Sequence, residues 1–348
     1  MPNKVHTVVM YPRPHPDPIV ALFLLREFGA QQFPGIEEAK VEFWNRVPPD
    51  KTAERWEADG YILLDLGGGR FDHHQLGSDN KTDCAATLVA KFLGVEEKPE
   101  LKKLLEFTRR DDLEGRGIVS KDIIDRAFGL SAITMNLNRD YPDHPDYVVE
   151  FVTRVVQAHY HEEYRRKVLM PKEWEELKRA GKAEGFVVKT AGRPVKVIMV
   201  QTDSKTLIGF LRALKDVQAD IVVQRQSSGH TNFVTRQVKP RIDLKETVAE
   251  LRKAEAAKKG NVDLSQTSRE DLIKPHLLEG VEEWYYDTAA NTIQNGGAAN
   301  ADITPTKLSL SEIKNILAKT LPSSLPPKRE KREEGPRTIS FADLKRRQ

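Results

Sequence analysis

The chain has 348 residues, 39% of them apolar and 31% charged, which fits a folded protein of two ordinary domains and excludes a fibrous or wholly disordered chain. The formal net charge is +3, but from Lys328 onward eight Lys/Arg stand against four Asp/Glu, so the rest is near −1 and does not form a strongly basic body tracking long nucleic acid. A single cysteine, Cys84, excludes an internal disulfide, and with no apolar run of membrane-spanning length and no signal-peptide pattern the expectation is a cytoplasmic protein without a membrane partner.

Val5 to Met10 reads as a strand that runs into the proline-stiffened loop Tyr11-Pro12-Arg13-Pro14-His15-Pro16-Asp17-Pro18. A helix is expected from Pro18, with Asp17 as its N-cap and Gly29 closing it. Its interior is apolar almost all round, so it belongs in the middle of a domain. Val41 to Val47 and Tyr61 to Asp65 read as two further strands, the last leading into Gly67-Gly68-Gly69 and then Phe71-Asp72-His73-His74-Gln75. Thr82-Asp83 opens a helix that ends at Gly94. From about 99 to 182 the pattern is helical: one helix ends in Arg109-Arg110-Asp111-Asp112, one covers Asp122 to Asn136, and a long one starts near Tyr147. His159 and His161 lie on different faces of that last helix and read as solvated. The first domain is thus residues 1–182.

A second, smaller α/β domain is expected over 185–321. Phe186–Lys189 and Val195–Val200 form one hairpin, and Ile221–Arg225 and Thr231–Arg236 another about Ser227-Ser228-Gly229-His230. Trp284-Tyr285-Tyr286 and Thr292-Ile293 lead into Asn295-Gly296-Gly297. Residues 322–348, rich in Pro, Lys, Arg and Glu, read as a disordered charged tail.

Two clusters carry the chemistry. His15 and Asp17 sit two apart in an extended loop, and Asp65, at a strand end, is followed by Asp72-His73-His74. Carboxylates and imidazoles beyond the C-terminal ends of strands suit a divalent cation, whereas either cluster alone could be a capped turn with surface histidines. Together they resemble the DHH phosphoesterase superfamily, and most of all its melanocyte-proliferating-gene type of metal-dependent hydrolase and exonuclease. The match lies in His-x-Asp before an apolar helix, an aliphatic-Asp-aliphatic-Gly-Gly strand end, and an aromatic-Asp-His-His-Gln from Phe71 to Gln75.

The resemblance implies an N-terminal parallel-sheet domain with a helical extension, one or two manganese or magnesium ions, and hydrolysis of a short nucleic acid or a nucleotide-like phosphodiester by activated water. It assigns Asp65 as the ligand bridging two ions, His15 and Asp17 to one of them, His73 to the other, and Asp111 or Asp112 as a further carboxylate. His74 would face the scissile phosphate, Asp72 would orient its neighbours, and Arg13 offers a fixed positive charge to a phosphate. In the second domain Arg225, Gly229, His230, Arg236, Gly296 and Gly297 are the candidate substrate-binding residues, although these turns could equally be plain hairpin tips. One departure stands out: where the family carries a further ligating His, five residues before His15, this chain has Met10. That opens the alternative of a family member that binds a nucleotide or a protein without cleaving, beside a third reading as a small-molecule phosphatase. A homodimer is compatible with the sequence.

Overall fold

The computed structural model describes residues 4–76, 82–115, 120–296 and 302–327. It is a mixed α/β protein that divides into two compact units between Pro171 and Lys172, about ten residues before the boundary expected from sequence. The difference arises because Glu173 and Trp174 belong to the second unit: Thr202 Oγ1 donates to Glu173 at 3.1 Å, and Trp174 is buried. Over the described residues unit 2 is slightly smaller than unit 1.

Unit 1 is built on three parallel strands in the order β2-β1-β3, with β1 Thr7–Met10, β2 Lys40–Phe43 and β3 Tyr61–Leu63. All four residues of β1 are buried, as expected for the middle of a sheet covered on both faces. Helix α1 spans Pro16–Phe28, and every residue from Pro16 to Leu25 is buried, which is what its all-round apolar sequence demands. It starts two residues earlier than expected: His15, not Asp17, takes the N-cap position, because Pro16 already has the φ of a first helical turn. α2 Ala53–Ala58, α3 Ala85–Leu93, α4 Lys102–Leu113, α5 Ile123–Phe128, α6 Leu130–Asp140 and α7 Pro145–Tyr164 follow. The single helix expected over Asp122 to Asn136 is broken at Gly129, whose extended backbone (ψ 152°) ends α5 and caps α6. His159 and His161 are exposed on α7.

At Gly60, just before β3, the backbone has a φ of +89°, and a Cβ would lie 2.7 Å from both the Lys4 carbonyl oxygen and a ring carbon of His6. Gly60→Ala is therefore expected to cost unit 1 about 1–3 kcal/mol, from a left-handed backbone plus a clash with main chain. A thermal melt unchanged from the wild type would contradict this.

Unit 2 contains α8 Met170–Arg179, apart from its first two residues, and a six-stranded sheet in the order β4-β5-β6-β7-β9-β8. The strands are β4 Ala183–Val188, β5 Val195–Gln201, β6 Ile221–Arg225, β7 Thr231–Thr235, β8 Tyr285–Asp287 and β9 Thr292–Gln294. Both expected hairpins form, β4 with β5 and β6 with β7, and α9 Lys205–Ala213 provides the crossover that makes β5 and β6 parallel. α10 Lys245–Lys259, α11 Arg269–Leu272 and α12 Leu310–Thr320 complete the unit. Inside it Arg252 is fully buried, and its guanidinium donates to the carbonyls of Leu272, Lys274, His276 and Trp284. That fan of hydrogen bonds ties the irregular stretch between α11 and β8 to α10. The charged tail begins later than expected, since Leu321–Ser323 is a short 3-10 helix and Leu325 is buried in the core. Residues 328–348, most of the expected disordered tail, lie outside the described residues.

Candidate metal centre

The loop after β3 places the first group of candidate ligands. Leu64 N–H still donates to Val9, and Asp65 then turns with a φ of +61°, a left-handed conformation that Asp tolerates better than most residues with a Cβ. Gly67 has a φ of +79°, and a Cβ there would lie 2.8 Å from Val47 and 2.9 Å from Leu63. The Asp65 N–H donates to the Phe71 carbonyl (3.1 Å), closing the loop. Asp72 is buried and accepts from the Gly68 N–H (2.8 Å), the His74 N–H (3.0 Å) and His74 Nδ1 (2.8 Å). This folds His73 and His74 back over Asp65, with their rings stacked at 4.4 Å. Asp72 is thus a positioning residue: it fixes the His74 tautomer and leaves Nε2 as the free nitrogen of a largely exposed ring.

Four side chains from four separate segments then form a closed ring of alternating carboxylate and imidazole. His15 Nε2 is 3.0 Å from Asp65 Oδ2, and His73 Nδ1 is 3.0 Å from Asp65 Oδ1. On the other side His73 Nε2 is 3.2 Å from Asp112 Oδ2, and His15 Nδ1 is 3.7 Å from Asp112 Oδ1. Yet His15 Nδ1, His73 Nδ1 and Asp65 Oδ1 are all buried without a hydrogen-bond partner, so the His73–Asp65 contact is at ion-pair distance but off hydrogen-bond alignment. Buried carboxylate oxygens and ring nitrogens that converge without hydrogen-bond partners are what a cation would satisfy, displacing any proton the imidazoles carry. The donor set of carboxylate oxygens and imidazoles, with no thiolate, is one that could hold a divalent cation. Ligand atoms of Asp65, His73 and His74, and of Asp17, His73 and Asp112, each lie within 4.8 Å of one another.

The charges agree with this. Burial, then the nearby Asp65 and Asp112 carboxylates, push Asp17 up to about 6. Burial also favours the neutral form of Asp65, but its short contacts with His15 and His73 outweigh it and bring the group down to about 2. The Asp65 contact raises His73 to about 9 against its own burial. Three carboxylates crowded around two imidazoles form an anionic pocket that a divalent cation would neutralise.

Two expected ligands have other partners. Asp17 is at the second position of α1 rather than its cap, and its two oxygens accept the N–H groups of Ala85 and Ala86, 2.8 Å each, at the start of α3. It reaches the cluster by proximity, while its carboxylate holds a helix sixty-eight residues further along. Of the acidic pair on α4, Asp112 joins the ring, whereas Asp111 accepts from Ser131 Oγ at 2.7 Å. Adjacent helical residues point about 100° apart, so one of the two had to turn away. Met10, at the position of the absent histidine, is fully buried in the apolar core. Arg13 stands in the exposed loop before His15 and lines a cavity that His15 shares.

In unit 2 the expected substrate-binding residues are mostly committed to structure. Arg225 donates to Thr231 Oγ1 (2.8 Å) and to the Leu308 carbonyl (2.7 Å). His230 is hydrogen-bonded through Nε2 to the Ile303 carbonyl (2.8 Å) and through Nδ1 to Ser228 Oγ (2.9 Å). A Cβ on Gly296 would lie 2.7 Å from the His230 ring, and one on Gly229 3.1 Å from Pro305, so these glycines admit the chain's own segment. Arg236 follows the far end of β7, five residues from that turn, and does not converge with His230. Gly297 lies outside the described residues. None of these partners was legible in sequence, because each is a backbone carbonyl or a neighbour far along the chain. Asn138 and Arg139, which lie beyond the helix expected over Asp122 to Asn136, form the last turn of α6 beside His15; a basic residue ending a helix was the available sign, but it does not name the neighbour.

No protein-family model matches the chain, and no curated protein is similar to it. Among solved structures it is similar to an uncharacterized protein from Helicobacter pylori G27, at 11% identity over 92% of this chain and 99% of that one, with a TM-score of 0.26.

Proposed function

We propose that this protein is a divalent-cation-dependent phosphodiester hydrolase of DHH type, acting on short nucleic-acid ends or nucleotide-like phosphodiesters. The observation that carries the reading is the ring of His15, Asp65, His73 and Asp112, drawn from four segments, with buried atoms of His15, Asp65 and His73 that have no hydrogen-bond partner. These four residues would hold a manganese or magnesium ion. Such an ion supplies Lewis acidity toward a phosphoryl oxygen and a water of lowered pKa. His74, held by Asp72 at Nδ1, presents Nε2 to hydrogen-bond a phosphate oxygen or pass a proton.

One specific observation favours a second reading, binding without cleavage. Met10 is packed in the core, and both oxygens of Asp17 are engaged by α3, so a second ion would be short of ligands. The two readings part on one assay: manganese-dependent release of nucleotides from short oligonucleotides by the full-length protein, reversed by chelation. Asp112→Asn is expected to lower the rate at least about 100-fold, while Asp111→Asn, whose amide oxygen still accepts from Ser131, stays within about tenfold of wild type. Absence of release with manganese bound would leave the binder, and equal loss in both variants would refute the ring as the reacting centre.

A further inference from the structure

Beside the ring lies a cavity of about 380 Å³ whose lining includes Arg13, His15, Pro16, Met135, Asn138 and Arg139. Among the described residues no carboxylate lines it. Arg139 has only a neutral hydrogen-bond partner, Asn136 Oδ1 at 3.2 Å, and neither Arg13 nor Arg139 makes an ion pair among the described residues. Among the described residues of the unit 1 helices, Arg109, Arg110, Arg154, Arg165 and Arg166 each pair with a glutamate within five residues, whereas Arg26 and Arg126 share with Arg139 the lack of a carboxylate partner; Arg139 differs from those two in lining the cavity. The walls are also tied together. Asn138 Nδ2 donates to the Pro14 carbonyl (2.9 Å) and to Thr134 (3.1 Å), fastening the loop of Arg13 and His15 to the helix of Arg139.

Two permanent guanidinium charges on a cavity wall without carboxylates complement a dianionic phosphate, and Arg can grip it bidentately. The apolar surfaces of Pro16 and Met135 offer contact for a sugar or base, and the volume suits one nucleotide rather than a longer chain. We propose that this cavity takes the terminal nucleotide of the substrate, with Arg13 and Arg139 holding its phosphomonoester, so that the protein selects phosphate-bearing ends. The proposal rests on the hydrolase reading for what happens next, but the binding itself does not need it.

The test is calorimetric titration of full-length, EDTA-treated protein with a nucleoside, its 5′-monophosphate and its 3′-monophosphate; without a cation, tight binding of phosphate must come from side chains. One of the two monophosphates is expected to bind at least about tenfold more tightly than the nucleoside, and which one it is assigns the end recognised. Arg139→Gln and Arg13→Gln should each erase that preference, whereas Arg154→Gln, an equal loss of charge on α7, should keep it. All three sites are exposed, so folding is not at issue. Equal binding of nucleoside and both monophosphates, or a preference that survives Arg139→Gln, overturns the proposal. Selective binding in a protein that releases no nucleotide from oligonucleotides upholds the subsite and removes only the hydrolase reading.

Discussion

Asp65→Asn is expected to reduce bound manganese from about one equivalent to below about a tenth, and to weaken cation affinity at least about 100-fold. Asp65 offers one oxygen to each histidine of the ring, so the amide removes the charge at the point where the two sides meet. Asparagine is the informative substitution because it tolerates the left-handed backbone that position 65 requires, a φ of +61°. Asp65→Ala should lose the cation as well, and should in addition be about 1–2 kcal/mol less stable than Asp65→Asn in the metal-free state, from backbone strain alone. Elemental analysis after manganese loading and desalting measures the first effect, and paired melts in EDTA the second. An Asp65→Asn protein that still carries a full equivalent would remove Asp65 from the centre.

For Asp17 the largest expected effect is on folding. Its carboxylate accepts two backbone N–H groups at the buried start of α3, so Asp17→Ala leaves both donors unsatisfied and takes a favourable charge from a helix N-terminus. A cost of about 2–5 kcal/mol to unit 1 follows, with manganese unable to restore it. Asp17→Asn keeps one acceptor oxygen and should cost about half as much. Denaturation of the metal-free variants, compared with Asp112→Asn as a change in the same cluster, distinguishes the roles. If Asp17→Ala melted like the wild type in EDTA and lost only the cation, Asp17 would be a ligand first and a cap second.

Both results bear on how differently residues of one motif are used. His15 and Asp17 are two apart and read as a pair, yet His15 belongs to the ring while Asp17 anchors α3. Asp111 and Asp112 are chemically identical neighbours, and the rotation of α4 about its axis assigns one to Ser131 and the other to His15 and His73. In unit 2 the chemical types expected to grip a phosphate are present, but Arg225 and His230 are taken by the carbonyls of Leu308 and Ile303.

What the sequence by itself determined is whatever depends on near neighbours. The apolar run of α1, the hairpins of unit 2, the glycine turn after β3 and the kinds of ligand available were all legible, because periodicity, φ preference and donor chemistry are properties of a few consecutive residues. Tertiary structure alone decided which oxygen meets which nitrogen. The N–H groups that claim Asp17, the serine that claims Asp111 and the ring that gathers His15, Asp65, His73 and Asp112 are 20 to 69 residues from their partners or lie on separate segments. Such pairings are fixed by how helices and strands pack and rotate against one another, which no local pattern encodes.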